Sequence, residues 1–189
     1  MLHGLARSRA SGKLLRRLAT FAQIWGGIAS ISLLPPAPQI DGEAMLQIFV
    51  HSSVKFHGAP LDANTPYGDG KRLAFIGGRA LEAAYALISS NKHPLPTAEA
   101  LEEEVSKLQE QVEKWVEGYK WREMVRHAND VDLRTPEETR YLMDAYVGAV
   151  LVGSGFQAVL NWIATLVDPS RAAELVATVP RSPDRRRFA

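Results

Sequence analysis

The chain has 189 residues, 46% of them hydrophobic and 23% charged, enough for one domain with a sizeable core; it has no cysteine, which excludes disulfides, thiol catalysis and zinc–thiolate sites. Its formal net charge of +1 conceals a segregation: residues 1–40 carry Arg7, Arg9, Lys13, Arg16 and Arg17 with no acid, and residues 180–189 carry Arg181, Arg185, Arg186 and Arg187 against Asp184 alone. The body between them has an excess of acids and should repel a phosphate backbone over much of its surface, so RNA contact is expected from the basic ends or a local patch.

Residues 1–40 form the first predicted unit. They are Arg-rich, contain Ser8 and Ser11, and match a mitochondrial presequence in composition. Leu5, Leu14, Leu15, Leu18 and Phe21 can share one helical face, with Arg9, Lys13, Arg16 and Arg17 spread over the other. A basic arm, or a helix packed on the domain, has the same composition. The apolar run 24–34 lies too late for a secretory signal, and no stretch approaches the ~20 apolar residues that span a bilayer. Leu34-Pro35-Pro36-Ala37-Pro38 reads as a stiff, non-helical spacer and the clearest boundary in the chain. The folded domain is expected over 41–179, followed by a basic tail, 180–189.

From Asp41 the pattern is helical. Leu46, Phe49 and Val50 have i, i+3, i+4 spacing, and this first helix is expected to end around His51–Ser53. A loop rich in Gly, Pro, Asn and Asp occupies 57–70. A second helix is predicted from Lys71 to Ser90, with Leu73, Ile76, Ala80, Leu81, Ala84 and Leu87 inward, ended by Asn91-Lys92-His93-Pro94. Thr97 caps a long acidic helix in which Leu101, Val105, Leu108, Val112 and Trp115 alternate by four and three. Two heptads are short for a coiled coil, so a helix packed in its own domain is favoured, continuing or kinking at Gly118. Trp115, Tyr119 and Trp121 read as core or interface anchors in preference to an RNA-stacking platform. Thr135-Pro136-Glu137-Glu138 starts the next helix, which carries Leu142, Tyr146, Val147, Val150 and Leu151 to the Gly153–Gly155 turn. An apolar helix, 156–167, stops at Asp168-Pro169, and a short helix is predicted at 170–178. With no period-2 stretch and no repeat, the fold class is all-α.

Three blocks in this order resemble the ribonuclease III domain. Ile48-Phe49-Val50-His51-Ser52-Ser53 resembles the family's first helix end, usually Leu-Thr-His-x-Ser. Residues 71–81, Lys-Arg-Leu-Ala-Phe-Ile-Gly-Gly-Arg-Ala-Leu, resemble its signature helix, usually Glu-Arg-Leu-Glu-Phe-Leu-Gly-Asp-x-Val-Leu. Tyr141-Leu142-Met143-Asp144-Ala145-Tyr146-Val147-Gly148-Ala149 resembles the second acidic helix, usually Asp-x-x-Glu-Ala-x-x-Gly-Ala. The likeness spans about 43–168 and implies a ribonuclease III-like helical domain with basic N- and C-terminal extensions.

The resemblance also implies what is missing. In the family, carboxylates of the two helices hold paired Mg²⁺ ions that activate water. Carried over, the ligand positions are Ala74, Gly78, Tyr141 and Asp144, and only Asp144 is acidic. Lys71 reverses the charge of the family's leading Glu, so Asp144 is expected to pair with Lys71 or Arg79 rather than with metal. Asp69 and Glu82 lie too far along the chain to restore the ligand set. No catalytic residue, metal or cofactor is therefore expected. His51, His57, His93 and His127 lack metal-ligand spacing. Ser52 and Ser53 are expected to point away from His51, and Gly77-Gly78 reads as a close helix approach rather than a phosphate loop.

The family dimerises through its signature helix, which implies an interface at Leu73, Phe75, Ile76, Gly77 and Ala80. It includes catalytically degenerate members of the large subunit of fungal mitochondrial ribosomes. The resemblance thus implies a non-catalytic component of the mitochondrial large subunit in the matrix. It would bind ribosomal RNA or other structured RNA through Arg181, Arg185, Arg186 and Arg187, and a second ribonuclease III-like protein as homo- or heterodimer, without a membrane. The alternative is a divergent double-stranded-RNA endoribonuclease, or the inactive half of a heterodimeric one.

Overall fold

Two long helices, each started by a side chain at the right offset, frame the protein. A computed structural model describes residues 34–54 and 62–169. They form α1 (Gly42–Phe49), α2 (Gly70–Ser90), α3 (Ala98–Ser106), α4 (Leu108–Gly118), α5 (Trp121–Met124), α6 (Pro136–Ser154) and α7 (Phe156–Val167). The described residues contain no strand, and the protein is all-α. The short helix expected at 170–178 lies outside them.

Helix α2 begins where the Asp69 carboxylate accepts the Lys71 and Arg72 amides at 2.9 and 3.1 Å. The preceding loop is tied down by Arg72, which donates to the carbonyls of Ala63 and Thr65. Gln47 on α1 reaches the Gly68 carbonyl at 2.8 Å. Helix α6 begins at Thr135, whose hydroxyl accepts the Glu138 amide at 3.2 Å, with Pro136 at the first position. It ends at Gly155, where φ is 81°, a conformation open to glycine at little cost. The chain turns there directly into α7, which buries Val159, Leu160, Trp162, Ile163, Ala164 and Leu166.

Helices α2 and α6 share the most extensive packing in the fold. Their backbones meet at two glycines. A Cβ on Gly77 would run into the Asp144 carbonyl and the Gly148 amide, and one on Gly148 would run into the Leu73 carbonyl. The expected close approach at Gly77 is present, and Gly148 is its counterpart. Around it lie Leu73, Leu81, Leu142, Met143, Val147 and Ile163, all less than 2% exposed.

Two helix boundaries differ from expectation. Helix α1 stops at Phe49 because Val50 is extended and bridges Arg126: the Arg126 amide donates to the Phe49 carbonyl and the His51 amide to the Arg126 carbonyl, both at 2.8 Å. The acidic helix divides at Lys107, whose amide bonds back to Glu104, three residues earlier, at 3.1 Å. Helix α3 buries no residue, whereas α4 buries Leu108, Val112, Trp115 and Val116 and packs on α6. The two halves of the heptad-like stripe therefore serve different faces.

Adding a methyl at the crossing should force the two backbones apart. Gly77→Ala or Gly148→Ala is expected to cost about 3 kcal/mol or more, read from urea denaturation. Gly42→Ala, where a Cβ meets nothing within 4 Å, should be neutral or stabilising by up to about 1 kcal/mol.

Candidate functional site

The crossing brings together two of the four positions that the ribonuclease III resemblance marks as ligand positions. Asp144 on α6 lies against Gly78 on α2, where a Cβ would stand 2.8 Å from Oδ2. Arg140, one turn earlier on α6, donates through Nε to both Asp144 oxygens at 2.8 and 2.9 Å. Its Nη2 donates to Glu82 Oε1 at 3.1 Å, and Arg79 Nη1 donates to Glu82 Oε2 at 3.1 Å. The result is an alternating row: Arg79, Glu82, Arg140, Asp144.

The links of this row are unequal. Arg79 is 74% exposed, so its pair with Glu82 is worth under about 1 kcal/mol. Arg140 and Asp144 are 25% and 15% exposed, and a pair this enclosed is costly to break from one side. Burial pushes the Asp144 carboxyl up to about 6; Arg140 opposes that shift and Glu82 adds to it. The expected partner of Asp144, Lys71 or Arg79, is replaced by Arg140. Lys71 lies exposed at the start of α2, while Arg140 has the i, i+4 spacing that puts a cation directly over the acid. That spacing was the available signal for Arg140.

The other two positions supply no carboxylate. Ala74 is a half-buried methyl packed on the core. Tyr141 lies over the start of α2, where a Cβ on Gly70 would stand 2.5 Å from Oη. Burial, then Glu138 and Asp69, holds its phenol above the usual range. Glu82 reaches the row through Arg140, and Asp69 is engaged as the α2 cap. Among the described residues, no three His, Asp or Glu side chains gather as a metal site. As a donor set for Mg²⁺, the centre offers two carboxylates, and both face a guanidinium.

A second polar cluster joins His51, Ser53 and Glu138. The expectation that Ser53 points away from His51 is incorrect: the helix has already ended at Phe49, and residues 51–54 form a turn. His51 Nδ1 lies 2.8 Å from Ser53 Oγ and accepts the Ser53 amide at 3.1 Å. His51 Nε2 lies 3.5 Å from Glu138 Oε1. Ser53 Oγ also accepts the Ala128 amide at 3.0 Å. This arrangement ties the end of α1 to the segment before α6, and the serine oxygen is committed on both sides.

The expected interface residues divide between core and surface. Leu73, Gly77 and Ala80 are buried within the protomer, Ile76 is half-buried, and Phe75 is 70% exposed. Phe75 therefore stands out of α2 between Lys71 and Arg79, one turn away on either side. Trp115 and Trp121 are buried at 3% and 4% exposure, so neither is an open stacking platform. Arg181, Arg185, Arg186 and Arg187 lie outside the described residues, as does His57. No helix among the described residues is long and apolar enough to cross a membrane.

Folded Asp144 holds its proton up to about pH 6, whereas an unfolded aspartate releases it near ~3.9. Between these values the folded state binds more protons, so stability falls as pH rises. The contribution is full below about pH 4 and gone above about pH 6. Asp144→Asn should abolish this pH-dependent loss, so that between pH 4 and 7 its stability falls by roughly 3 kcal/mol less than that of the unaltered chain, measured by denaturation at each pH. No protein-family model matches this sequence, and comparison with curated proteins finds no match.

Proposed function

We propose that this chain is a non-catalytic protein with a ribonuclease III-like domain, serving as a structural component of the mitochondrial ribosome's large subunit. The observation that carries this reading is the Arg140–Asp144 clasp. The one acid kept at the inherited ligand positions is neutralised by a guanidinium on its own helix, and the facing residue, Gly78, has no side chain. A centre of this charge does not collect the two divalent cations that activate water for phosphodiester cleavage. The order of the three blocks and the all-α fold support the inherited framework.

Partner binding is assigned to the outer face of α2. Phe75 is a large exposed aromatic ring with basic neighbours, the kind of anchor on which an interface concentrates its energy. The partner is a second ribonuclease III-like protein. RNA contact is assigned to Arg181 and Arg185–Arg187, and the acid-free N-terminal segment to targeting to the matrix.

Tagged full-length protein is expected to cosediment with large mitochondrial ribosomal subunits after nuclease-free lysis. It should leave double-stranded RNA uncut in Mg²⁺, alone and with candidate partners. Phe75→Asp should change stability by no more than about 0.5 kcal/mol while releasing the partner. Mg²⁺-dependent cleavage lost in Asp144→Ala would overturn the reading in favour of a divergent endoribonuclease.

A further inference from the structure

The Pro-rich stretch before α1 is held against the domain rather than strung ahead of it. The Tyr119 hydroxyl donates to the Pro35 carbonyl at 2.5 Å, and the Tyr146 hydroxyl to the Pro38 carbonyl at 2.7 Å. Leu34, Ala37 and Ile40 pack on the core, and a Cβ on Gly118 would stand 2.5 Å from Leu34 Cδ1. From Leu34 to Ile40, Pro36 and Gln39 are exposed and the other residues are half-buried. The chain then runs straight into the cap of α1. There the Asp41 carboxylate accepts the Glu43 amide at 2.8 Å and the Asp41 carbonyl accepts the Met45 amide at 3.0 Å.

The anchors on the domain side are themselves fixed. Trp162 Nε1 donates to the Tyr119 hydroxyl at 3.1 Å, and Trp121 stacks on both phenols, with centroids 4.9 Å from Tyr119 and 4.3 Å from Tyr146. Tyr146 is buried, so the Pro38 carbonyl stands in for water at its hydroxyl. A protease that accepts its substrate as an extended strand draws main-chain N–H and C=O groups on both sides of the bond into its cleft. Here the Pro35 and Pro38 carbonyls are already engaged, and the three prolines have no N–H to offer. Cutting within the segment requires it first to leave the domain, so its rate follows the population of that open form.

We propose that Leu34–Ile40 sets the N-terminal limit of proteolytic processing: an endoprotease that removes the basic N-terminal segment cuts before Leu34, and Leu34–Ile40 stays with the domain. The step is hydrolysis of one peptide bond. The hydroxyl of water goes to the carbonyl carbon, which leaves as the carboxyl end of the released piece, and the proton goes to the nitrogen that becomes the new amino terminus. Arg7, Arg9, Lys13, Arg16 and Arg17 all precede Leu34, so one such cut removes every cation of the segment without touching a contact of the fold. The inference rests on the reading of that segment as a targeting sequence; the contacts of 34–40 stand without it.

The test digests the full chain with a broad-specificity endoprotease and identifies the resistant fragment by N-terminal sequencing and mass. The bonds after Pro36, Pro38, Gln39 and Ile40 do not precede a proline, so proline by itself does not spare them. In the unaltered chain the fragment should begin at or before Leu34. In the full chain carrying Tyr119→Phe and Tyr146→Phe, cutting at those four bonds should rise at least about tenfold. Leu34→Ser, which alters only the segment, should raise it as well and decides the matter if the double variant does not fold. A fragment of the unaltered chain beginning at 37–41, or equal cutting in the altered chains, would overturn the limit. The native chain isolated from mitochondria should lack Arg7–Arg17 and begin at or before Leu34. A native start beyond Leu34 overturns the limit, and a native chain that keeps those arginines overturns the removal. Native protein found only outside mitochondria overturns the targeting reading, while the resistant fragment still decides the limit.

Discussion

Helices α2 and α6 can touch backbone to backbone only because neither has a side chain at the point of contact. Gly77 and Gly148 leave carbonyls and amides of one helix against the other, and every nearby side chain is placed by that contact. Leu73 and Leu81 on α2 and Leu142, Met143 and Val147 on α6 close around it as fully buried packing. Interiors are packed to crystal-like density, so a contact this close is either kept in full or forces the neighbouring side chains to move. The same proximity puts Asp144 against Gly78 and leaves no space there for a longer acid without displacing it.

The electrostatics of the centre follow from this enclosure. A carboxylate taken out of water is destabilised, and its partner recovers only part of the loss. Arg140 meets both oxygens of Asp144, yet burial still dominates and the proton is held up to about pH 6. Glu82, shared between Arg140 and Arg79, balances the row to no net charge when Asp144 is ionised. Such a row holds α2 and α6 together through its own alternating charges.

The far side of α6 is organised differently, by stacked rings. Phe49, Tyr119, Trp121, Tyr146 and Trp162 contact one another with centroids 4.3 to 6.4 Å apart. Each favourable aromatic pair adds about 0.5–1.5 kcal/mol beyond the area it buries. Burial pushes the phenol of Tyr119 up to about 12 and that of Tyr146 higher still. Both hydroxyls stay protonated and act as donors, which is what the Pro35 and Pro38 carbonyls require. The Pro-rich segment thus satisfies two polar groups in an otherwise apolar region.

Much of the framework can be read from the chain alone, because caps and periodicity are local. Thr97 and the Thr135-Pro136 pair mark helix starts, Asn91–Pro94 and the Gly153–Gly155 turn mark ends, and 3.6-residue spacing assigns most of the inner faces of α2 and α6, although Leu87, expected inward, is 47% exposed. Of the aromatics read as core or interface anchors, Trp115 and Trp121 are core and Tyr119 is half-buried beside them. Decisions between distant residues are not local, and they were made by tertiary contact. Val50 leaves α1 to bridge Arg126, 76 positions later; Phe75 stays outside while Leu73 and Ala80 go in; and His51 finds Ser53 only once its helix has ended. The acid–base pairing at Asp144 has a local signature in Arg140, but its consequence, a carboxyl held protonated to about pH 6, depends on burial that no spacing reveals. Pro35 and Pro38 illustrate the difference: sequence fixes their φ angles, while only the fold supplies the two tyrosine hydroxyls that donate to their carbonyls.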